Sequence, residues 1–222
     1  MSGFNGRHDP YRVFIVDDHP IVRHGLTELL TQEEGLAVCG QASSLPEALQ
    51  GVERAHPDVA IIDISLGGDS GIELISQIKQ RHPRIKMIVS SIHDEKLFAE
   101  RALRAGAMGY VSKREAIRKI IDAVHQVMQG DVYLSAAMAS RLLHQAVSGG
   151  KIERDPVEML SNRELEVFEM IGNGLTTQQI AGKLCLSPKT VETHRKNIKT
   201  KLNLPNSAQL SRYAFQWVQE SH

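Results

Sequence analysis

The feature that most constrains the fold of this 222-residue chain is an alternation of strand-like and helix-like patterns, repeated five times in its first part. Short apolar runs typical of buried strands occur at residues 12–16, 36–42, 59–62, 86–90 and 109–111. Apolar residues at helical spacing follow each run, at residues 20–30, 44–55, 72–78, 94–105 and 114–129. This alternation predicts one doubly wound α/β domain with a five-stranded parallel sheet.

Polar side chains stand where these strands end. Asp17 and Asp18 follow the first strand, Asp63 the third, Ser91 the fourth and Lys113 the fifth. Because ligands of an open parallel sheet lie outside the carboxyl ends of its strands, we expect these side chains to meet at one edge. Three carboxylates repel one another unless a hard cation or a lysine lies among them, and Mg²⁺ suits such an oxygen-rich site. A carboxylate can also act as a nucleophile and form an acyl phosphate.

Each of these residues has a plainer interpretation when it is taken alone. Asp18 could cap the first helix, Asp63 could be a solvated strand end, and Ser91 could cap the helix that follows it. Tyr110 could be a core residue, and Lys113 could be an ordinary surface lysine. Their joint placement at strand ends favours one phosphoacceptor site over five separate explanations.

The alternation stops after the fifth helix. A helix is predicted at residues 136–147, and the Ser/Gly-rich residues 148–151 are the candidate flexible stretch. We therefore expect an α/β domain at residues 11–130, a linker with a helix at residues 131–158, and a second domain at residues 159–222.

The second domain is predicted to contain four helices and no strand. Ser161 and Glu164 form a capping box before its first helix, and Thr177 is expected to cap a short second helix. Ser187 opens a longer, basic third helix, and the last helix covers residues 207–219. A short helix, a tight turn and a longer basic helix form the helix-turn-helix pattern. In the α/β domain, Ser44 is likewise predicted to be the N-cap of the second helix, because Glu47 follows it three residues later.

One face of the third helix is polar and mostly basic. Its residues are Lys189, Glu192, Thr193, Lys196, Lys199 and Thr200. Positive charge suits phosphates, and Lys and Thr can reach base edges in the major groove. The plainer alternative is a solvated amphipathic helix, but the preceding short helix and turn favour DNA binding. Glu192 is unfavourable near phosphates, so we hypothesise that it accepts a hydrogen bond from a cytosine amino group.

Leu210, Tyr213, Ala214 and Trp217 form an apolar stripe on the last helix. The stripe could join two copies of the chain, or it could pack within its own domain, and the sequence favours neither.

Charge and composition narrow the partners. Residues 159–222 carry 8 Lys/Arg against 5 Asp/Glu, whereas the rest carries 18 against 21, so only the C-terminal part is expected to meet a polyanion. Cys39 and Cys185 are expected to be reduced, buried thiols. The first ten residues are polar and no apolar run is long enough to span a bilayer, so we expect a cytoplasmic protein without a membrane partner.

The order Asp17-Asp18, Asp63, Ser91, Lys113 resembles the flavodoxin-like receiver domain of two-component response regulators. The C-terminal helices resemble the LuxR-type helix-turn-helix. Together, residues 11–214 resemble the NarL/FixJ family of response regulators. The resemblance implies a transcription regulator rather than an enzyme. It also implies a sensor histidine kinase and double-stranded DNA as partners, with a homodimer in the phosphorylated or DNA-bound state.

The same resemblance implies roles for individual residues. Asp63 would accept the phosphate; Asp18 and Asp63 would hold Mg²⁺, with Asp17 acting through water and the Ser65 carbonyl as a further ligand. The residues that would respond to the phosphoryl group or stabilise it are Ser91, Tyr110 and Lys113. Residues that would read bases are Glu192, Thr193 and Lys196, and those that would hold the DNA backbone are Lys189, Thr190, Arg195 and Lys199.

Two alternatives remain beside the family. A haloacid-dehalogenase-like phosphatase also uses a nucleophilic Asp with Mg²⁺, but it needs a second Asp two residues later, where this chain has Ser65. A pseudo-receiver regulator would ignore phosphate, which the intact acidic pair, Asp63 and Lys113 argue against. We further hypothesise that His93 and Ser65 flank the phosphoryl group and set its lifetime.

Overall fold

The computed structural model describes residues 9–113, 115, 118–147 and 156–221. The chain divides into two compact units, Met1–Ala136 and Ala137–His222. The elements of the first unit are β1 (Tyr11–Val16), α1 (Pro20–Gln32), β2 (Leu36–Ala42), α2 (Leu45–Ala55), β3 (Val59–Ile62), β4 (Ser65–Leu66), β5 (Asp69–Ser70), α3 (Gly71–Arg81), β6 (Lys86–Ser91), α4 (Glu95–Ala105), β7 (Gly109–Ser112) and α5 (Lys119–Gln129). They are followed by α6 (Ala136–Val147), a 3-10 helix (Pro156–Met159), α7 (Asn162–Gly172), α8 (Thr177–Lys183), α9 (Pro188–Lys201) and α10 (Ser207–Ser221).

A five-stranded sheet forms the centre of the first unit. Its strand order is β2-β1-β3-β6-β7, and every neighbouring pair is parallel. All four residues of β3 are buried, as expected for a short apolar strand covered on both faces. Side chains of α1 and α5 pack with Val13 and Ile15 on one face of the sheet. The predicted α/β fold class is confirmed, and the carboxyl ends of all five strands point to one edge.

At two predicted helix caps a neighbouring residue makes the capping bond: Ser43 at α2, whose N-cap is still Ser44, and Thr176 at α8. Ser44 occupies the N-cap of α2, but its side chain makes no capping bond. The Glu47 carboxylate instead accepts from the amide and the hydroxyl of Ser43, at 2.7 and 2.8 Å, so Ser43 offers it two donors. At α8 the capping residue is Thr176, which pairs reciprocally with Gln179. Thr177 lacks such a partner in sequence, because the residue three positions later is apolar.

Two connections in the first unit differ from prediction. The helix predicted from residue 114 begins at Lys119. Before it, the Glu115 amide donates to the Ser112 carbonyl and closes a turn after β7. Residues 114, 116 and 117 lie outside the described part of the chain. The glycine-rich stretch after β3, expected as a flexible loop, is a small antiparallel hairpin of β4 and β5. Gly67 and Gly68 make its two-residue turn with φ of 56° and 118°, which this kind of hairpin requires.

The chain after α5 first continues along the sheet edge. Tyr133 forms a parallel bridge with Gly109, and its carbonyl accepts from the Tyr110 amide at 2.9 Å. The helix predicted at residues 136–147 is present as α6. The Ser/Gly-rich residues 148–151 lie outside the described part of the chain.

In its described residues, the second unit contains α6 from its second residue onward, a 3-10 turn and helices α7 to α10, so the four helices predicted for residues 159–222 are present. The predicted capping box of Ser161 and Glu164 is present at α7, and Ser187 caps α9 as predicted. The apolar stripe of α10 packs within its own unit, since Leu210 and Ala214 are fully buried and the Trp217 ring lies 5.3 Å from that of Phe168. This contact decides between the two interpretations of the stripe.

The predictions for the cysteines are only partly right. Both thiols are free, and Cys39 is half-buried. Cys185 is exposed rather than buried, because it takes φ 51° in the turn before α9 while the preceding Leu184 fills the core. Among the described helices, none has the length and hydropathy needed to span a membrane.

Candidate functional site

The carboxyl ends of β1, β3 and β7 bring three predicted site residues into contact. The Lys113 ammonium lies 2.6 Å from Asp63 Oδ2 and 2.5 Å from Asp17 Oδ2. Asp63 and Asp17 are only 4% and 2% exposed. The other oxygen of Asp63 accepts from the Ile64 amide at 2.7 Å, which orients the carboxylate toward the lysine. The structure thus places one ammonium between two buried carboxylates.

Burial and the neighbouring charges shift the pKa values of both Asp63 and Lys113. Burial raises the pKa of Asp63 above its ordinary value; the Lys113 ammonium opposes this rise, and Asp17 adds to it. Burial alone would lower the pKa of Lys113, but Asp63 and Asp17 together raise it. The lysine is therefore firmly protonated, and it neutralises only one of the two carboxylates beside it.

Asp18 and His19 complete the acidic edge. One oxygen of Asp18 accepts from the Gly67 amide at 3.0 Å, while the His19 Nδ1 atom lies 2.6 Å from the other oxygen, Oδ1. Ligand atoms of Asp17, Asp18, His19 and Asp63 all lie within 4.8 Å of one another. Sequence reasoning missed His19, because a single histidine in a loop carries no metal-ligand spacing.

This donor set fits a hard divalent cation. Three carboxylates share one ammonium, and the buried Oδ1 atom of Asp18 accepts no hydrogen bond from the residues that the structure describes. An uncompensated carboxylate oxygen beside two more carboxylates is the environment that Mg²⁺ neutralises. Ser65, the further predicted ligand, opens β4 two residues past Asp63.

The remaining receiver residues form a buried network beside the acidic edge. Ser91 is fully buried, and a hydrogen bond from its hydroxyl to Asp63 works with Lys113 to lower the pKa of that carboxyl, which burial raises. The Tyr110 hydroxyl donates to the His93 carbonyl at 2.9 Å. The His93 Nε2 atom lies 3.0 Å from the Ser65 hydroxyl. A chain of short contacts therefore connects the acidic edge to the start of α4.

The plainer single-residue interpretations are wrong for Asp18, Asp63, Ser91 and Lys113. The N-cap of α1 is His19 rather than Asp18, and the N-cap of α4 is Asp94, which accepts from the Lys96 amide. Ser91 is buried at the end of β6, and the Lys113 side chain is only 13% exposed. Tyr110 is indeed buried, but its hydroxyl is engaged as described above.

Sequence reasoning also missed Gly71, which begins α3. A Cβ atom at this position would lie 1.9 Å from the backbone carbonyl oxygen of Asp63. The approach is so close because the Gly71 amide donates to the Ile64 carbonyl at 2.6 Å. The start of α3 is thereby packed directly against the backbone that carries the acidic residue.

The second site lies on α9, whose position is set by buried and charged contacts to the other helices. Val191 and Ile198 are fully buried. The Lys201 ammonium lies 2.6 Å from Glu164 in the capping box of α7. Burial alone would raise the pKa of Glu164, but the bonds from Lys201 and Ser161 together lower it, which favours the charged pair.

The residues predicted to contact DNA differ in exposure. Four are exposed: Lys189, Glu192, Thr193 and Lys196. Thr190, Arg195 and Lys199 are half-buried. The Glu192 carboxylate accepts from the Thr177 hydroxyl of α8 at 2.6 Å, and Arg195 Nε lies 3.6 Å from the same oxygen. Glu192 is therefore held in place on an otherwise basic face, a contact that the sequence did not reveal.

An α/β fold with an acidic sheet edge, joined to a helix-turn-helix unit, defines the class of DNA-binding response regulators. Comparison with known proteins supports this class. Residues 13–125 match the response regulator receiver domain, and residues 158–214 match the bacterial regulatory proteins of the luxR family. The chain belongs to the NarL/FixJ-type response regulators, which are transcription regulators and not enzymes.

Individual relatives cover nearly the whole chain. The response regulator GacA of Pseudomonas viridiflava is 36% identical over 200 residues, which are 90% of this chain and 93% of GacA. The oxygen regulatory protein NreC of Staphylococcus epidermidis is 35% identical over 209 residues, covering 91% and 96%. RcsB of Salmonella enterica serovar Typhimurium, solved bound to promoter rprA with the phosphomimetic BeF3⁻, is 28% identical with a TM-score of 0.60, covering 93% of this chain and 98% of RcsB. These matches set aside the phosphatase alternative.

Proposed function

We propose that a sensor histidine kinase phosphorylates Asp63 and that the acyl phosphate controls DNA binding by the second unit. The observation that carries this proposal is the Asp63 carboxylate itself, buried at the sheet edge with Lys113 at 2.6 Å and Asp17 beyond it. A carboxylate oxygen at this edge can attack a phosphoryl group. The intact lysine and acidic pair support this function over a regulator that ignores phosphate.

Mg²⁺ is the proposed cofactor, with Asp18, Asp63 and the Ser65 carbonyl as ligands and Asp17 acting through water. When bound, the ion offsets negative charge on the phosphoryl oxygens. Both oxygens of Asp17 already have partners, Lys113 and the His19 amide, which supports an indirect role. Lys113 stays protonated beside the transferred group, and the buried Ser91 hydroxyl can donate to one of its oxygens.

The proposed switch runs through Ser91 and Tyr110. A phosphoryl group adds roughly −1.5 to −2 charge at the site. Ser91 turns toward this charge, and Tyr110 leaves its bond to the His93 carbonyl, which alters the start of α4. A receiver with two such arrangements can change DNA affinity and dimerisation by population shift.

The second unit is proposed to bind double-stranded DNA as a homodimer. The relative RcsB has been solved on a promoter, which supports DNA as the partner of this chain. Glu192, Thr193 and Lys196 are proposed to read bases, while Lys189, Thr190, Arg195 and Lys199 hold the backbone. We retain residues 11–130, 131–158 and 159–222 as receiver, linker and DNA-binding domain. Transcription regulation and the kinase imply a cytoplasmic location.

The direct test measures phosphorylation, DNA affinity and oligomeric state together. Wild-type protein is incubated with acetyl phosphate and Mg²⁺, and the acyl phosphate is detected by mass spectrometry. We expect one phosphate on Asp63, with tighter DNA binding and more dimer. Asp63→Asn should lose all three responses, whereas Asp69→Asn, a nearby half-buried control on β5, should keep them. A wild-type protein that takes up no label, or a label that persists in Asp63→Asn, refutes the proposal.

A binding-site selection tests the base-reading role of Glu192. Glu192→Ala should relax the preference for cytosine at one position, because it removes the acceptor for the cytosine amino group. Lys189→Ala serves as the comparison, since loss of a phosphate contact weakens binding about equally on all sequences. An unchanged selected sequence for Glu192→Ala removes this residue from base reading.

A further inference from the structure

His19 is held at the acidic edge by its backbone. It occupies the N-cap of α1, with φ −91° and ψ 112°, and its side chain makes no capping bond. Its amide donates to Asp17 Oδ1 at 2.9 Å. The residue is therefore anchored to one of the site's own carboxylates, and its ring projects from the same short segment that carries Asp17 and Asp18.

The ring nitrogen faces the same space as the carboxylate oxygens. His19 Nδ1 lies 2.6 Å from Asp18 Oδ1 and 3.4 Å from Asp17 Oδ1. Asp18 Oδ1 is buried, yet it accepts no hydrogen bond from the described residues, so the neighbouring ring nitrogen is not aligned to donate to it. A ring nitrogen and a carboxylate oxygen only 2.6 Å apart repel each other unless a proton or a cation compensates their negative potential.

We propose that His19 supplies a nitrogen ligand to the cation held at the edge formed by Asp18 and Asp63, with Asp17 beside them, so that this site takes a borderline divalent transition ion more tightly than Mg²⁺. The inference rests on the proposed metal site and extends it to a residue outside that ligand set. The ring nitrogen of His19 and one oxygen each of Asp17, Asp18 and Asp63 all lie within 4.8 Å of one another, so a single ion can be within reach of them all.

Metal preference follows from the donor types. Carboxylate and carbonyl oxygens suit Mg²⁺, whereas imidazole suits Co²⁺, Ni²⁺ and Zn²⁺. A site of oxygens alone leaves Mg²⁺ competitive through its abundance. An added imidazole favours the borderline ions selectively, because Mg²⁺ gains little from a nitrogen ligand.

The competing explanation is a cationic imidazolium that simply pairs with Asp18. The two explanations predict opposite signs when the ring is removed. An imidazolium repels any cation, so His19→Ala would strengthen the binding of Mg²⁺ and Co²⁺ alike. If His19 is a metal ligand, His19→Ala removes that ligand. The substitution should then weaken the binding of Co²⁺ and leave the binding of Mg²⁺ nearly unchanged.

Isothermal titration calorimetry with Mg²⁺ and Co²⁺ provides the test on the untagged full-length protein. We expect His19→Ala to weaken Co²⁺ by about tenfold or more, which is the scale on which loss of an interaction at a metal site acts. His24→Ala is the matched control, since His24 lies on the helix that His19 precedes as N-cap, is 74% exposed and contacts only Glu28 among the ion pairs described. Its Co²⁺ and Mg²⁺ affinities should equal those of the wild type.

Proton NMR of the Co²⁺-loaded protein provides a second readout. A coordinated imidazole shows a hyperfine-shifted, exchangeable ring N–H signal, which His19→Ala should lack and His24→Ala should keep. Equal Co²⁺ affinity of wild type and His19→Ala, a gain for both ions, or a shifted signal that survives in His19→Ala overturns the inference. Acetyl phosphate labelling with Mg²⁺ in the same samples separates the two proposals: normal labelling with no nitrogen ligand defeats only the role of His19, whereas absent labelling defeats the proposed function.

Discussion

Gly71→Ala tests how tightly α3 is packed against the backbone of Asp63. The added Cβ would lie 1.9 Å from the Asp63 carbonyl oxygen, 2.8 Å from its carbon and 2.9 Å from the Ile64 Cα atom. All three neighbours are backbone atoms, so no side chain can rotate to make room. The substitution must therefore move either α3 or the Asp63 segment.

The size of the movement sets the expected cost. Real Cβ atoms stay at least 3.0 Å from such neighbours, so the two segments must separate by about 1 Å. Forcing extra atoms into a packed interior costs about 1–3 kcal/mol of unfolding free energy. In a domain of this size each kcal/mol lowers Tm by about 4 °C. A displacement of about 1 Å at a reacting group can also slow its chemistry by about 10²-fold.

The matched control is Gly25→Ala, the same chemical change in the interior of α1. No atom lies within 4 Å of its added Cβ. Replacing glycine by alanine within a helix should stabilise by about 0.5–1 kcal/mol. Two identical substitutions are thus expected to shift Tm in opposite directions.

Thermal unfolding and the rate of acetyl phosphate labelling, measured side by side, check both consequences. Gly71→Ala should melt several degrees below wild type and label far more slowly, while Gly25→Ala should melt slightly higher and label normally. A Gly71→Ala protein with wild-type Tm and wild-type labelling would show that α3 does not constrain the Asp63 backbone.

Three further predictions concern the receiver. Burial raises the pKa of Asp63, so the folded metal-free protein keeps a proton that the unfolded chain releases near pH about 3.9. The free energy of unfolding is therefore expected to fall as the pH rises from there through the pKa of the folded protein. Asp63→Asn should lack this fall and gain no Tm from Mg²⁺, as pH-dependent melting with EDTA or Mg²⁺ will show. Tyr110→Phe leaves the His93 carbonyl without that donor and should cost about 1–3 kcal/mol in urea unfolding, and an unchanged midpoint would contradict the bond. His93→Ala opens the space beside Ser65 to water and should shorten the phosphate half-life; an unaltered half-life removes His93 from this account.

The sheet edge could be predicted from sequence because it depends on a general rule of parallel sheets. Once β1, β3 and β7 are recognised as parallel strands, the residues at their carboxyl ends must lie together, and the Lys113 contacts with Asp17 and Asp63 follow. The burial of Asp63 follows in the same way, because β3 lies in the middle of the sheet. No contact had to be guessed for this part of the site.

Features that depend on competition between nearby groups could not be predicted in this way. Glu47 had two serines within reach and bonds Ser43, which offers both an amide and a hydroxyl. The position of His19 beside Asp18 depends on a ring torsion that no spacing encodes. The close approach of Gly71 depends on the hairpin of β4 and β5, which resembles an ordinary glycine-rich loop in sequence.

The site also limits where the energy of a phosphorylation switch can come from. Moving a two-state receiver from 1:99 to 99:1 needs about 5.5 kcal/mol of differential stabilisation. Lys113 already bonds Asp63 and Asp17, so its bond to a phosphoryl oxygen replaces an existing bond and adds little. Ser91 also bonds Asp63 already, so the differential stabilisation must come mainly from new charge-assisted bonds to the phosphoryl oxygens, each contributing about 1.5–3 kcal/mol, to which a bound metal ion would contribute. Because the loss of the Tyr110 bond to His93 costs about a further 1 kcal/mol, a complete switch needs at least three such new bonds.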